Sequence, residues 1–495
     1  MNVSAGGANK GVVAAGHPLT AQAGAEVLRQ GGNAVDAAVA AMLTSFVAEP
    51  LLTGLGAGGH MIVVSEHETV LLDFFVEAPR RALDGSAAEL EAVDVSFGDA
   101  VQVFYIGPAS CGIYGTPAGV CTASERWGTV PLAELAAPAA KLAREGVALN
   151  AQQAYVAKIL GELLCSTPEC AALWSRGGRV LGEGDVMCDP ELADAIELLA
   201  TEGAAPFYTG EIARAVCDLL ASRGGSIDAE QLAGYRAIER SPLQVRFRDR
   251  EVLTNPPPAA GGALLAYALT LLDRAGPGPA STEQLVSAME AAQAQRTPEF
   301  IDGLGEEGFW ERFASSRLGA TTHISAVDGD GMACGVTTTN GEGSGVVVPG
   351  TGIHLNNVMG EEDLNPLGFH RHPAGRRMPS MMAPTVVRRE GEVELVLGSA
   401  GSNRIRSALL QTILGVVDGG LPVADAVRAP RVHFEDGVIY HEPGVDMEGV
   451  QREDREIVRF HDLNLFFGGV QAVQRREGTI AGAGDPRRGG VAVTA

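Results

Sequence analysis

The chain has 495 residues, of which 46% are hydrophobic, and a formal net charge of -24 at pH 7. So much apolar material excludes a disordered chain and is ample for a large core. The acidic balance argues against nucleic acid and anionic membrane surfaces as partners, because both are held by clustered Lys and Arg.

In chain order, Met1-Asn2-Val3-Ser4 shows no basic segment followed by an apolar one. No signal peptide is expected, and the cytoplasm is the expected compartment. From Thr20 the spacing predicts a helix stopped by Gly31-Gly32, with Asn33 capping the next one. The apolar stretch 34–48 is too short for a membrane span of roughly 20 residues and carries Asp36. Gly54-Leu55-Gly56-Ala57-Gly58-Gly59 matches G-x-G-x-x-G, but it follows a helix and precedes the strand-like Met61-Ile62-Val63-Val64. A dinucleotide site needs the opposite order, so the glycines read as a turn. Residues 61–75 read as a hairpin turning near Glu66-His67.

Residues 100–300 read as mainly helical, with runs at 132–145, 151–164, 192–202 and 210–222 and strands near 245–247 and 252–254. Ser226-Ile227-Asp228 offers a cap for a further helix. Then Thr321 to Asp328 and Met332 to Thr339 alternate in character around Asp328-Gly329-Asp330-Gly331, the pattern of a hairpin. A further helix is expected at 407–418. No repeat or low-complexity linker divides the chain, so one domain over 1–495 of layered α/β architecture is expected. Only Lys10, Lys141 and Lys158 are available as Schiff-base anchors, none in a suggestive setting, and no cofactor or metal is expected. Seven cysteines without a C-x-x-C pair read as buried free thiols.

Seven blocks of sequence stand out together. They are Gly31-Gly32-Asn33-Ala34-Val35-Asp36, Pro256-Pro257-Pro258, Thr321-Thr322-His323-Ile324-Ser325, Gly352-Ile353-His354-Leu355-Asn356-Asn357, Met378-Pro379-Ser380 and Gly398-Ser399-Ala400-Gly401-Ser402, with Asp485-Pro486-Arg487 closing the series. In order and spacing they resemble the γ-glutamyltransferase (glutathione hydrolase) family of N-terminal-nucleophile hydrolases. The resemblance implies a four-layer αββα sandwich. It also implies a precursor that cuts itself before Thr321 into a large subunit, 1–320, and a small subunit, 321–495. The freed α-amine has a reference pKa of roughly 7.7–8.0, suited to a general base near neutral pH, so the Thr321 hydroxyl needs no separate triad. His323 is then read as a structural hydrogen-bonding residue.

Further roles follow from the same resemblance. Thr339 aligns with the Thr that hydrogen-bonds the nucleophile, and Gly401 with Ser402 fills the place of the Gly-Gly that stabilises the oxyanion. Asn340, Glu361 and Ser380 align with substrate-binding positions, Glu361 with the acid that takes the donor's α-amino group. Pro379 replaces the first Ser of the family's Ser-Ser pair. Phe75 stands where the family places the Arg that pairs with the glutamyl α-carboxylate, with Arg80 and Arg81 close by in sequence. The implied partner is a small γ-glutamyl or other acyl amide. Three further readings remain open: the same machinery with another acyl specificity (an N-acyl or β-lactam side-chain acylase), a non-catalytic relative, and, far behind, a nucleotide-dependent oxidoreductase. Family members are often secreted or periplasmic, which the expected compartment departs from.

Overall fold

The computed structural model describes residues 10–80, 90–96, 101–294, 321–365, 368–401, 403–451 and 455–495. The strands that build its two large sheets are, in chain order, β1 (Gly11–Ala15), β2 (Gly58–Val64), β3 (Thr69–Phe74), β4 (Ile238–Arg240), β5 (Leu243–Phe247), β6 (Arg250–Thr254), β7 (Thr322–Asp328), β8 (Ala333–Thr339), β9 (Thr385–Arg389), β10 (Glu392–Ala400), β11 (Gly469–Arg476), β12 (Thr479–Gly484) and β13 (Val491–Thr494). One sheet runs β4-β3-β2-β8-β7-β1-β13 and the other β5-β6-β9-β10-β11-β12. The pairings within both are antiparallel.

The sheets lie face to face, and the period of two along each strand sorts its residues between layers. On β1, Val12 and Ala14 join Ile62, Val327, Val396 and Val473 between the sheets. Val13 and Ala15 point the other way, with Ile324, Ala326 and Val336, toward helices α1 (Pro18–Gln30) and α2 (Ala34–Ala48). Helices α3 (Ala260–Arg274) and α4 (Arg404–Val417) cover the second sheet through Leu264, Leu269, Ile405, Leu409 and Ile413. The result is the expected four-layer αββα sandwich. Because both sheets are covered on both faces, β7 and β8 are buried along their whole length.

The same layering explains why 34–48 is apolar on every side: all residues of α2 are buried. Asp36 closes a capping box with Asn33 and also accepts hydrogen bonds from the Thr129 amide and hydroxyl and the Val130 amide. Among the described residues no helix is long and apolar enough to cross a membrane.

Several boundaries differ from expectation. Helix α1 starts at Pro18, capped by the His17 side chain, since proline suits a first helical turn. The run 151–164 breaks into Ala151–Ile159 and Gly161–Leu164. A hairpin of Glu91–Ser96 and Val101–Ile106 stands at the start of the stretch read as helical. The helix expected at 407–418 spans Arg404–Val417, and a short helix at Val423–Arg428 follows it. Cys111, Cys121, Cys170 and Cys334 are buried, whereas Cys188 and Cys217 are half-buried and Cys165 is exposed. The expectation of buried thiols thus fails at those last three, which lie on outward faces of the helical region.

Candidate active site

The hairpin register pairs Thr322 with Thr338. One step further along, it sets Thr321 opposite Thr339. Odd-numbered residues of β7 face the second sheet: the Cβ of a residue replacing Gly398 on β10 would lie 2.2 Å from the His323 ring. Thr321 and Thr339 therefore share the space between the sheets, while Thr322 points to the helical layer.

The two threonines of the motif have opposite surroundings. The Thr322 hydroxyl donates to Glu49 at 2.8 Å. Thr20 donates to the other Glu49 oxygen at 2.8 Å. Burial raises the Glu49 pKa, and those two hydroxyls and Arg488 oppose the rise. The Thr321 hydroxyl is buried and has no hydrogen-bond partner. A buried hydroxyl without a partner is costly, and such groups concentrate where chemistry needs them.

His323 bears out its structural reading. Its Nδ1 lies 2.7 Å from the Thr337 hydroxyl and its Nε2 2.9 Å from that of Ser325. Ser325 spends its proton on the Gln471 carbonyl at 3.1 Å, so the ring donates from Nε2 and accepts at Nδ1. Burial holds its pKa down at about 3, leaving the ring neutral.

Beyond β8 the chain turns tightly. The Gly341 amide donates to Thr339 Oγ1 at 2.9 Å. Asn340 donates through Nδ2 to the His354 carbonyl at 3.2 Å, while its buried Oδ1 has no partner. Glu361 is not on a solvated loop: it is 2% exposed. Its Oε1 comes within 2.5 Å of where a Cβ on Gly341 would sit, so Asn340 and Glu361 belong to one wall. Asn356 clips that wall to the glycine turn, donating to the Gly56 and Gly112 carbonyls at 2.9 Å each. Glu362 is exposed and accepts from Tyr105 at 3.3 Å.

Ser380 lies 3.1 Å from His60 Nε2, and its carbonyl accepts from the Ala260 and Gly261 amides that open α3. Gly401 ends β10 with φ +108, and a Cβ there would stand 2.7 Å from Gly468 Cα. Only glycine fits that turn. Ser402, expected beside it, lies outside the described residues, as do Ala320, the residue before the expected cut, and Arg81. Among the described residues, no group of three or more His, Cys, Asp or Glu is placed to hold a metal ion.

The pattern of the family described as Gamma-glutamyltranspeptidase matches residues 20–307 and 305–495, which together span nearly the whole chain. The chain belongs to the gamma-glutamyltranspeptidase family. It is 33% identical to a glutathione hydrolase proenzyme of Escherichia coli (strain K12), over 86% of this chain and 81% of the relative. It is 31% identical to the acylase ACY 1 proenzyme of Pseudomonas sp. (strain SE83), over 98% of this chain and 93% of the relative. A cephalosporin acylase from Bacillus halodurans shares the fold, with a TM-score of 0.84 at 24% identity, covering 99% of this chain and 97% of that one.

Phe75, the position expected to stand where the family places its carboxylate-binding Arg, has apolar surroundings. Phe75 is fully buried with Val76, Ala78, Val358, Met359, Leu364, Met378 and Met382. Its ring centroid is 5.5 Å from that of His60. Arg80 does not compensate, because its side chain is exposed and donates to Glu230 at 3.2 Å. Arg377 is the buried cation of this region, but it is already committed. It pairs with Glu77 at 2.5 Å and Asp73 at 3.3 Å and stacks 4.3 Å over the Tyr235 ring.

Sequence reasoning missed His60, Asp73, Glu49 and Arg488. Burial pushes the His60 pKa down to about 4, against the pull of Asp73 3.6 Å away. Glu49 carried a readable signal. A carboxylate closing an apolar helix meets the negative end of the helix dipole, a local conflict that marks functional positions.

Proposed function

We propose that the protein is an autoprocessing Thr amidohydrolase and acyltransferase that cuts itself between Ala320 and Thr321 and acts on amides whose acyl group lacks the γ-glutamyl α-carboxylate. The observation that carries the acyl preference is Phe75, packed among methionines where the family's carboxylate-binding Arg is expected, with Arg377 neutralised beside it. A carboxylate pressed against that wall would be buried without a partner, which is costly. The acylase among the relatives supports the same reading.

In maturation the Thr321 hydroxyl attacks the Ala320 carbonyl, the resulting ester hydrolyses, and the α-amine of Thr321 is left free. In turnover that amine takes the hydroxyl proton as oxygen attacks the substrate amide. The tetrahedral oxyanion meets donors at the Gly401-Ser402 turn, each worth on the order of 3 kcal/mol in comparable sites. The ammonium returns its proton to the departing amine, and water or a second amine then takes the acyl group. Thr339 positions the nucleophile in both reactions. Both sheets draw strands from either side of the cut, β1–β6 from 1–320 and β7–β13 from 321–495, so the two products stay interleaved as one folding unit.

Intact mass is the first test: wild type resolves into 1–320 and 321–495, and Thr321→Ala stays whole and inactive. Cleavage of the Thr321→Ala chain at the same bond would mean an outside protease. Thr339→Ser keeps most maturation and turnover, whereas Thr339→Val loses both; equal effects would assign the role to the methyl group. On acyl-p-nitroanilides, wild type favours phenylacetyl over γ-glutamyl, and Phe75→Arg shifts the ratio toward γ-glutamyl by up to roughly a hundredfold. A wild-type kcat/KM for glutathione above about 10⁴ M⁻¹s⁻¹, in the range of efficient enzymes, would return the protein to plain γ-glutamyl chemistry.

A further inference from the structure

A cavity lies beside Thr322 and the Gly401 turn, apart from the residues packed around Phe75. Its wall includes Gly16, Glu49, Leu51, Leu52, Trp174 and Arg488, and none of the residues packed around Phe75 reaches it. It touches the immediate neighbours of the reacting group at two points. A Cβ on Gly16 would lie 2.3 Å from Glu49 Oε2 and 3.3 Å from Thr322 Oγ1. A Cβ on Gly401 would lie 3.1 Å from Arg488 Nη2. The guanidinium of Arg488 thus overhangs the turn expected to hold the oxyanion.

Arg488 is poorly partnered for a cation in such a place. Nη2 donates to the Leu465 carbonyl at a long 3.3 Å, and the buried Nε has no partner. Asp485, the nearest acid in sequence, is already engaged by Arg431 at 2.7 Å and Arg487 at 3.2 Å. Glu49 is occupied by the Thr20 and Thr322 hydroxyls. Burial and repulsion from Arg404 lower the Arg488 pKa to about 10, which still leaves it charged at neutral pH. The rest of the cavity is largely apolar, with Leu51, Leu52, Trp174 and Met187 on its wall. Its volume is about 50 Å³. With about 10–15 Å³ needed per water-sized group, it takes roughly four non-hydrogen atoms, the size of a branched aliphatic side chain.

We propose that this cavity receives the aliphatic side chain of the substrate's amine half, with Arg488 on its wall binding the adjoining carboxylate. The inference rests on the acyl group lying toward Phe75, as proposed above. The substrate class is then an amide between an apolar carboxylic acid and an α-amino acid, an N-acyl amino acid. In the reaction the amide C–N bond breaks as the Thr321 ester forms. The free amino acid leaves with the returned proton, and water releases the carboxylic acid.

The experiment compares N-phenylacetyl-L-leucine with N-phenylacetyl-L-leucinamide on processed enzyme. A charged hydrogen-bonded pair corresponds to a preference of about tenfold to a hundredfold for the carboxylate in kcat/KM. That ratio should fall toward one in Arg488→Gln and recover in part in Arg488→Lys, with self-cleavage by mass showing that each variant folds. Saturation-transfer NMR of leucine against leucinamide supplies a readout independent of turnover: wild type binds leucine in preference and Arg488→Gln does not. If neither amide is turned over while leucine binding still depends on Arg488, the acyl reading fails and this subsite stands. A wild-type preference near one in both turnover and binding, or a preference unchanged in Arg488→Gln, overturns it.

Discussion

Two pairs of neighbouring residues, Thr321 with Thr322 at the start of β7 and Arg487 with Arg488 in the C-terminal turn, show how this molecule separates frame from site. Thr322 is bound to Glu49, and Thr321 has no partner. Arg487 is enclosed by Glu442, through Nε at 2.7 Å, by Asp485, and by the Val427 and Ala429 carbonyls at 3.1 and 2.9 Å. Both arginines line the same cavity, but Arg488 holds one long hydrogen bond and its buried Nε has no partner. In each pair the residue with complete partners belongs to the fold, and its neighbour is left for a reaction or a ligand. Arg377 follows the first pattern, paired with Glu77 and Asp73.

The contrast can be broken from either side. The largest effect is expected from Arg487→Met, which strands Glu442 and part of Asp485 without their cation in the interior. Losing one member of a buried pair costs about 3–5 kcal/mol, so this variant should unfold at much lower denaturant concentration or fail to yield soluble protein. Unaltered stability would show that the network is dispensable to the frame. Thr322→Val comes next, as it keeps the shape and removes one of the two hydroxyls that bind Glu49. A cost of about 1–3 kcal/mol in urea unfolding is expected, and no cost would place Thr322 with the open members.

Glu49 sharpens the comparison through pH. Its folded pKa is raised above the ordinary glutamate value of 4.5, chiefly by burial. The folded protein therefore keeps this proton where the unfolded chain has released it. The stabilisation is fully present below 4.5 and is lost as pH rises through the folded pKa. Relative to Glu49→Gln, wild type should thus be more stable at pH 5 than at pH 8, by up to about 1.4 kcal/mol per unit inside the window. Thermal unfolding of both proteins at the two pH values measures it, and a difference of opposite sign would mean that Glu49 is held ionised by Arg488. The smallest effect is expected from Arg488→Met: a change within about 1 kcal/mol, neutral or stabilising, because an under-partnered cation is removed. A loss as large as that of Arg487→Met would erase the distinction between the two arginines.

Much of the candidate site was legible because it lies in contiguous motifs. Thr321-Thr322-His323-Ile324-Ser325, the Asp328–Gly331 turn and Gly401 announce themselves by local pattern, and their backbone geometry is as local as their sequence. Phe75 was legible only through the resemblance, as an apolar residue where the family places an Arg. What surrounds it was not, since the methionines at 359, 378 and 382 reach it only across the fold. The resemblance placed Glu361 near substrate, yet only the close approach of Gly341 showed that its carboxylate is buried.

By itself the sequence determined the period-two strands, the glycine turns and the helix caps, all set by short-range sterics and hydrogen bonding, and the resemblance marked Thr321 as the candidate nucleophile. The tertiary structure alone decided which charges are spent and which are left open. Pairing of Arg487 with Glu442, of Arg377 with Asp73 and of Thr322 with Glu49 joins residues 45, 304 and 273 positions apart. Whether a buried charge has a partner depends on distances of a few ångströms in the folded chain, because desolvation makes each buried polar group depend on what lies next to it in space.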